Sequence, residues 1–253
     1  MEHKPENSVL WLDRNRQGRD FVVGDIHGHF ELLELLLKEI AFDEEYDRII
    51  SVGDGIDRGP ESERALEFWN QSWFYSVRGN HEEMLLTGQD YLSSRYNLWM
   101  DNGGEWAESV PESLLKEMVD CYSELPYAIN VETELGQVGI VHADIPARYS
   151  WSRLLQKLSI NKLKKRELDT LLWSRESYRK FRKSMESGGD LKESYVGDVH
   201  KIYVGHSIVA YPSLFGNMMF IDTGAYCNGR LTAIDLTTEE AIVVQTEEES
   251  SVG

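Results

Sequence analysis

Apolar and polar positions near the start of the chain follow a pattern of alternating strands and helices. Residues 21–24 (FVVG) form an apolar run that ends in glycine, and residues 48–52 (RIISV) are rich in β-branched side chains, so both are predicted strands. Residues 31–40 (ELLELLLKEI) place leucines at helical spacing, and a second helix is predicted to begin with Pro60. With a third strand at 73–77, this order favours a parallel sheet with crossover helices.

The rest of the chain predicts a second set of strands that follows a helical stretch. Residues 82–125 are predicted to be mostly helical, with a break at 102–104, and residues 153–185 are predicted to be helical and charge-rich. Further strands are predicted at residues 129–131, 138–141, 202–204, 218–221, 231–236 and 241–244.

The length of 253 residues favours one domain over 1–253, because it suffices for one large core. We place that core at about 19–246, with a helical insertion at 82–125. The acidic residues 247–253 are expected to form a disordered tail.

Charge and cysteine content exclude several classes of protein. The 44 acidic and 26 basic residues give a net charge of −18, which repels a nucleic-acid backbone at long range, although local cations can still bind a small phosphorylated substrate. Two cysteines give no disulfide framework, and no apolar run resembles a signal peptide or a membrane span. We therefore expect a cytoplasmic protein without nucleic-acid or membrane partners, and the oligomeric state stays open.

Chemistry-bearing side chains follow the predicted strands. Ligands of open α/β sheets collect outside the carboxyl ends of the strands, and nearby glycines allow a bulky ligand to approach. The residues at these ends are Asp25 and His27 in GDIHG, Asp54, Asp57 and Arg58 in GDGIDRG, Asn80 and His81 in RGNHE, His142 in HAD, His206 in GH and Asp222 in DTG.

The residue types in these loops indicate a metal site. Asp, His and Asn without a thiolate suit Mn, Fe, Zn or Mg better than a soft metal. The candidate ligands outnumber those that one tetrahedral ion needs, whereas two ions that share a carboxylate would use them all. Such pairs catalyse in-line displacement at phosphorus and generate hydroxide near neutral pH.

These motifs resemble the phosphoprotein phosphatase family of metallophosphoesterases, in particular its bacterial and phage lambda-type branch. The likeness extends over about residues 19–236 and includes NGG at 102–104, ELP at 124–126, HADIP at 142–146, LLWSRES at 171–177 and IDTGAYCNGRLTAI at 221–234. It implies the calcineurin-like metallophosphoesterase fold, an α/β (α+β) protein in which a β-sandwich is flanked by helices in four layers, α/β/β/α.

The resemblance also implies which residues bind metal. Asp25 and His27 would bind the first ion, Asp54 would bridge both, and the second site would be completed by Asn80, His142 and His206. Two divalent ions per chain are expected, with Mn²⁺ first and Fe, Zn, Ni or Mg as alternatives.

The remaining catalytic roles follow from the same resemblance. Arg58 and Arg175 would bind the phosphate oxygens, with Asn80 also counted as substrate-binding. His81 would be the general acid toward the leaving oxygen, held by Asp57. Arg148 and Arg153 are weaker candidates than Arg175 for the second phosphate-binding arginine, and both are expected on the solvated surface.

The resemblance implies a metal-dependent serine/threonine protein phosphatase, with dual specificity left open, that uses direct attack by a hydroxide bridging two metals. Its substrates would be phosphorylated proteins or peptides and small phosphomonoesters. One alternative is a symmetrical dinucleoside tetraphosphate hydrolase, whose second motif typically lacks the aspartate found here as Asp57. Another is a catalytically silent phosphoprotein-binding protein, although no motif residue is missing.

Two details of the pattern bear on packing. Gly55 stands where the family usually has a bulky aliphatic residue, which leaves the packing of that loop open. Trp106 is interpreted as a core or pocket-wall residue.

Overall fold

A computed structural model describes residues 5–187 and 195–246 of the chain. The predicted acidic tail at 247–253 lies outside the described residues. The strands are β1 Val9–Leu12, β2 Asp20–Val23, β3 Arg48–Ser51, β4 Phe74–Ser76, β5 Ala128–Thr133, β6 Gly136–Ile140, β7 Lys201–Val204, β8 Ser213–Phe215, β9 Met218–Phe220, β10 Arg230–Asp235 and β11 Ala241–Gln245. The helices are α1 Phe30–Glu39, α2 Ala65–Trp69, α3 Asn80–Thr87, α4 Ser94–Trp99, α5 Glu112–Ser123, α6 Trp151–Ser159, α7 Lys165–Trp173, α8 Glu176–Ser187 and α9 Ala225–Asn228.

The strands form two mixed sheets. The first sheet has the order β11-β10-β2-β3-β4, and the second has the order β1-β5-β6-β7-β9-β8. Strands β2, β3 and β4 are parallel, as the alternating pattern predicts, with Val23 opposite Ser51 and Ser51 opposite Ser76. In the second sheet, β7 runs parallel to both β6 and β9. Three strands of each sheet therefore send their carboxyl ends in one direction.

Alternating side chains along the strands produce three separate apolar layers. Phe21 and Val23 point to a layer shared with α1, α2, α3 and α5, whereas Val22 between them points to the layer between the two sheets. Ile202 and Val204 of the second sheet pack against α6 and α7. The order helix, sheet, sheet, helix confirms the predicted four-layer fold.

Parts of the fold differ from the predicted elements. Strands β1 and β8 were not predicted. Strand β1 pairs with β5, so the second sheet includes residues that precede residue 19, where the core was expected to begin. The helix expected to begin at Pro60 instead begins as a 3₁₀ turn at Ser62 and becomes α-helical at Ala65. The Ser62 hydroxyl accepts a hydrogen bond from the Asp57 N–H at 2.9 Å, so this turn is tied to the loop before it.

Among the described residues, no helix is long and apolar enough to cross a bilayer.

Candidate active site

The predicted strand-end loops meet at one edge of the molecule, where the carboxyl ends of both sheets lie side by side. The first sheet contributes the loops after β2, β3 and β4, and the second contributes those after β6, β7 and β9. The backbone of Gly205 approaches Asp25 so closely that a Cβ there would lie 1.8 Å from Asp25 Oδ1. A glycine is therefore required where the two sets of loops touch.

The loops hold site residues in a backbone conformation that side chains disfavour. Left-handed φ angles occur at His27 (47°), Asp54 (53°), Asp57 (70°), Arg58 (72°) and His206 (62°). Each such non-glycine residue costs about 1–3 kcal/mol and persists only where its surroundings enforce it. Five of the predicted site residues are therefore in a strained backbone conformation.

Asp54 lies at the centre of the site. Its Oδ2 lies 3.8 Å from His27 Nε2, 3.9 Å from His81 Nε2 and 3.2 Å from His142 Nε2. Burial would raise the pKa of Asp54, but the adjacent imidazoles of His142 and His81 hold it well below its usual range. This carboxylate is therefore ionised and faces three imidazoles.

Backbone carbonyls orient the imidazoles of the predicted ligands. A carbonyl can only accept a hydrogen bond, so the nearby ring nitrogen carries the hydrogen and the other nitrogen is left for a ligand. These contacts are His27 Nδ1 to Ile56 O at 3.0 Å, His142 Nδ1 to Val52 O at 2.8 Å and His206 Nε2 to Trp173 O at 3.2 Å.

The contacts of His142 show that the second site suits a cation. With Nδ1 donating to the backbone, Nε2 faces two oxygen acceptors, Asn80 Oδ1 at 2.8 Å and Asp54 Oδ2 at 3.2 Å. Burial would lower the pKa of His142, but the Asp54 carboxylate raises it. Lone pairs that converge in this way need a proton or a metal ion between them.

The first site also suits a cation. Asp25 Oδ1 is buried and has no hydrogen-bond partner among the described residues. Burial raises the pKa of Asp25 well above its usual value, and the nearby carboxylates of Asp222 and Asp54 raise it further. Two overlapping groups could hold a metal, His27 with Asp54 and His81, and Asp54 with His142 and His206; the ligand atoms of each group lie within 4.8 Å of one another. The donor set fits a dinuclear centre of hard to borderline ions.

The predicted acid and its partner are in contact. His81 Nδ1 lies 2.7 Å from Asp57 Oδ2, and both side chains are completely buried. Burial raises the pKa of Asp57 to about 7 and lowers that of His81 to about 4. Burial disfavours the charged form of each group, and the 2.7 Å contact between Nδ1 and Oδ2 needs one proton between the two atoms. His81 Nε2 faces the site and has no partner among the described residues.

Two guanidinium groups flank the site and are open to solvent. The Arg58 guanidinium lies 4.4 Å above the Tyr226 ring, and its Nη1 is 3.2 Å from His27 Nε2. On the other side, Arg175 Nη2 donates to the His206 carbonyl oxygen at 3.0 Å. Both predicted clamps therefore lie beside candidate metal ligands, where they can reach an incoming anion.

The rivals of Arg175 lie elsewhere. Arg153 is on α6, where its guanidinium lies 5.0 Å from the centre of the Tyr149 ring. Arg148 lines a cavity with Asp144 and Glu176. These positions agree with the expectation that both residues lie on solvated surface.

Comparison with known proteins identifies the family. Residues 21–210 match the family described as calcineurin-like phosphoesterase. The chain belongs to the calcineurin-like phosphoesterase family. This match covers the loops that carry every predicted metal ligand, from Asp25 to His206.

Bacterial protein phosphatases resemble this calcineurin-like phosphoesterase over most of its length. Serine/threonine-protein phosphatase 2 of Salmonella typhimurium is 36% identical over 222 residues, which cover 84% of this chain and 90% of the relative. Serine/threonine-protein phosphatase 1 of the same organism is 35% identical over 235 residues, which cover 90% and 97%. These relatives confirm the resemblance to bacterial members of the phosphoprotein phosphatase family.

A solved structure confirms the fold alone. A protein described as a candidate diadenosine tetraphosphatase superposes with a TM-score of 0.66, covers 94% of this chain and 98% of its own, and is 23% identical. The calcineurin-like fold predicted from the motifs is thereby confirmed.

Glu82 is a buried site residue of this phosphoesterase that sequence reasoning missed. Its carboxylate accepts backbone N–H groups from Asp54 at 3.0 Å, Gly55 at 2.8 Å and Gly79 at 2.8 Å. It therefore joins the loop after β3 to the loop after β4. Burial is the main cause that raises the pKa of Glu82 to about 7, and the negative charge of Asp54 is the second. In sequence it looks like an ordinary acid in the first turn of a helix, and its place directly after Asn80-His81 is the one available signal.

The open question about Gly55 is answered by its neighbour. A Cβ at Gly55 would lie 2.1 Å from Trp69 Cη2. The Trp69 ring occupies the space that a side chain at position 55 would need, so the loop stays packed without one.

Proposed function

We propose that this chain is a metal-dependent phosphatase that hydrolyses phosphoserine and phosphothreonine esters in proteins. The buried Asp57–His81 pair beside Asp54 carries the proposal, because an alkoxide leaving group needs a proton and this pair can supply it. The two Salmonella relatives, which are named as serine/threonine-protein phosphatases, support the same substrate class.

In this proposal the two ions are held by six residues. Asp25 and His27 would hold one ion, Asp54 would contact both, and the second would be held by Asn80, His142 and His206. The spacing of ligand atoms would also allow His81 to join His27 and Asp54, but its bond to Asp57 favours the role of an acid. Two divalent ions would neutralise the phosphate dianion and supply an acidified water near neutral pH. The proposed ion is Mn²⁺, with Fe, Zn, Ni or Mg as alternatives.

The chain's own groups then bind the substrate and manage one proton. Arg58 and Arg175 would grip phosphate oxygens from opposite sides, and the Asn80 amide would also contact the phosphate. His81 Nε2 would donate its proton to the leaving oxygen while Asp57 holds the ring in place at Nδ1. The serine or threonine then leaves as a neutral alcohol and takes no proton from bulk water.

Two esters measured side by side would test the proposal. Phosphate release from a phosphoserine peptide and from diadenosine tetraphosphate is followed with Mn²⁺ and with chelator. We expect metal-dependent release from the peptide. Cleavage of the dinucleotide alone would instead support a nucleotide hydrolase and show that Asp57 does not discriminate the two. Binding of the peptide without release would support a silent phosphoprotein-binding role.

The cellular setting is part of the proposal. The net charge of −18 supports phosphorylated proteins and small esters, rather than nucleic acid, as partners. Location in the cytoplasm stays a prediction.

A further inference from the structure

Two tryptophans of the helical insertion reach the carboxylate of Asp57. Trp99 Nε1–H donates to both oxygens of Asp57 at 3.1 Å, and Trp106 Nε1–H donates to Oδ1 at 2.7 Å. The two indole rings are inclined by 83° with centroids 6.5 Å apart, so they approach the carboxylate from different directions. Together with His81 at Oδ2, they give both oxygens of this buried carboxylate a donor.

The backbone between the two tryptophans contacts the same loop. A π turn at Met100–Gly104 and a 3₁₀ turn at Glu105–Ser109 connect them. The Gly103 carbonyl accepts the Arg58 N–H at 3.2 Å, and a Cβ at Gly103 would lie 2.6 Å from Arg58 N. Gly103 has a φ of 101°, which favours glycine. The segment 99–106 therefore fits against the Asp57–Arg58 loop through backbone as well as side chains.

Other tryptophans in the same core show that packing alone does not demand such contacts. Trp73 and Trp69 belong to, or pack against, the same apolar cluster as Trp99 and Trp106. Their indole nitrogens are buried without a hydrogen-bond partner among the described residues. Trp99 and Trp106 therefore differ from Trp69 and Trp73, because their indole N–H groups donate to a carboxylate.

We propose that Trp99 and Trp106 are positioning residues that fix the Asp57 carboxylate and, through it, the orientation of the His81 ring. This inference rests on the proposed function, because His81 is taken there as the general acid. The tryptophans touch neither substrate nor metal in this assignment; they act through Asp57.

The geometry predicts an effect that depends on the leaving group. A phosphoserine ester departs as a strongly basic alkoxide and needs a well-placed acid, whereas p-nitrophenyl phosphate departs as a weakly basic phenolate and needs it far less. Loss of an indole N–H should therefore lower activity on the first ester more than on the second. A role in folding alone would lower both equally.

The test uses Trp106→Phe and Trp99→Phe, with Trp73→Phe as a matched control that removes a buried indole N–H without a partner. The quantity measured is the ratio of kcat on a phosphoserine peptide to kcat on p-nitrophenyl phosphate, in Mn²⁺. This ratio does not depend on how much of each variant is folded. We expect it to fall about 10-fold or more for Trp106→Phe, somewhat less for Trp99→Phe, and to stay unchanged for Trp73→Phe. An unchanged ratio in both active-site variants would overturn the proposal.

A second readout is independent of activity. In the metal-free protein, the ¹H–¹⁵N signal of the His81 Nδ1–H group reports its bond to Asp57. We expect this signal to shift in Trp106→Phe and Trp99→Phe but not in Trp73→Phe, and an unshifted signal would contradict the inference. If the wild-type enzyme released phosphate from neither ester, the proposed function would fail, and the signal would still decide whether the tryptophans hold Asp57.

Discussion

Two regions of the site differ in what holds their catalytic groups in place. The metal region comprises Asp25, His27, Asp54, Asn80, His142 and His206, and the acid region comprises Asp57, His81, Trp99 and Trp106. In the metal region, three imidazoles are oriented by backbone carbonyls. In the acid region, the hydrogen bonds to the Asp57 carboxylate come from side chains: one from His81, two from Trp99 and one from Trp106. The two tryptophans lie 42 and 49 residues beyond Asp57.

Only part of the site is positioned by the strands. His142 is oriented by the carbonyl of Val52, which directly follows β3, so its place is set when that sheet forms, whereas the carbonyls that orient His27 and His206 lie in the loop after β3 and at the end of α7. A carboxylate oriented by distant indoles is placed only when the helical insertion has packed. Changes at Trp99 and Trp106 should therefore affect the acid region more than the metal region.

The largest effect is expected from breaking the metal region at its centre. Asp54→Asn removes the charge that both candidate ions share, so we expect activity on aryl and alkyl phosphates to fall together, by about 10³-fold or more. Calorimetry with Mn²⁺ should show weakened binding. The control is Asp120→Asn, which changes an exposed carboxylate on α5. Full Mn²⁺ affinity in Asp54→Asn would contradict the bridging role.

A smaller and more selective effect is expected from the acid region. His81→Asn removes the proton donor, so kcat for a phosphoserine peptide should fall about 10²- to 10⁴-fold, with a weaker fall for p-nitrophenyl phosphate. Mn²⁺ binding should be retained. Full activity on the peptide would show that His81 is not the acid, and loss of one bound ion would assign it to the metal region instead.

The smallest effect is a dependence on pH that separates the two regions without a mutation. Burial raises the pKa of Asp57 to about 7, so the Asp57–His81 pair keeps its shared proton below that pH and loses it as the pH rises further. The ratio of peptide to aryl phosphate hydrolysis should accordingly be highest below about pH 7 and decline above it. Effects on the metal region influence both esters and cancel in the ratio. A ratio that rises with pH would reverse the assignment.

The metal region could be predicted because its residues are local to strands. The strands before Asp25, Asp54 and His142 have clear apolar patterns, and parallel neighbours bring such ends together. What no pattern revealed was that loops from two different sheets would meet, since the packing of one sheet on the other leaves no local mark in the sequence.

The acid region could be predicted only in part. The resemblance paired Asp57 with His81, and the structure brings them into contact. The two indole donors could not be predicted. Trp106 was interpreted as a core or pocket-wall residue, and Trp99 shows no pattern that distinguishes it from other buried aromatics. Their role depends on a π turn whose geometry follows from tertiary packing. Strand β1 (VLWL) was not predicted, although it is as long as β2 and β3 and apolar throughout.

The left-handed backbone of the site has a consequence for anyone who engineers this protein. Among the described residues, ten non-glycine positions have positive φ, and five of them are His27, Asp54, Asp57, Arg58 and His206. Glycine would relieve strain at each of these places, so a search that scores thermal stability alone would select positions proposed to bind metal or substrate or to orient the acid. At these five positions, a substitution that raises stability is expected to lower activity. A stabilised variant of this enzyme should therefore be sought at other positions in the chain.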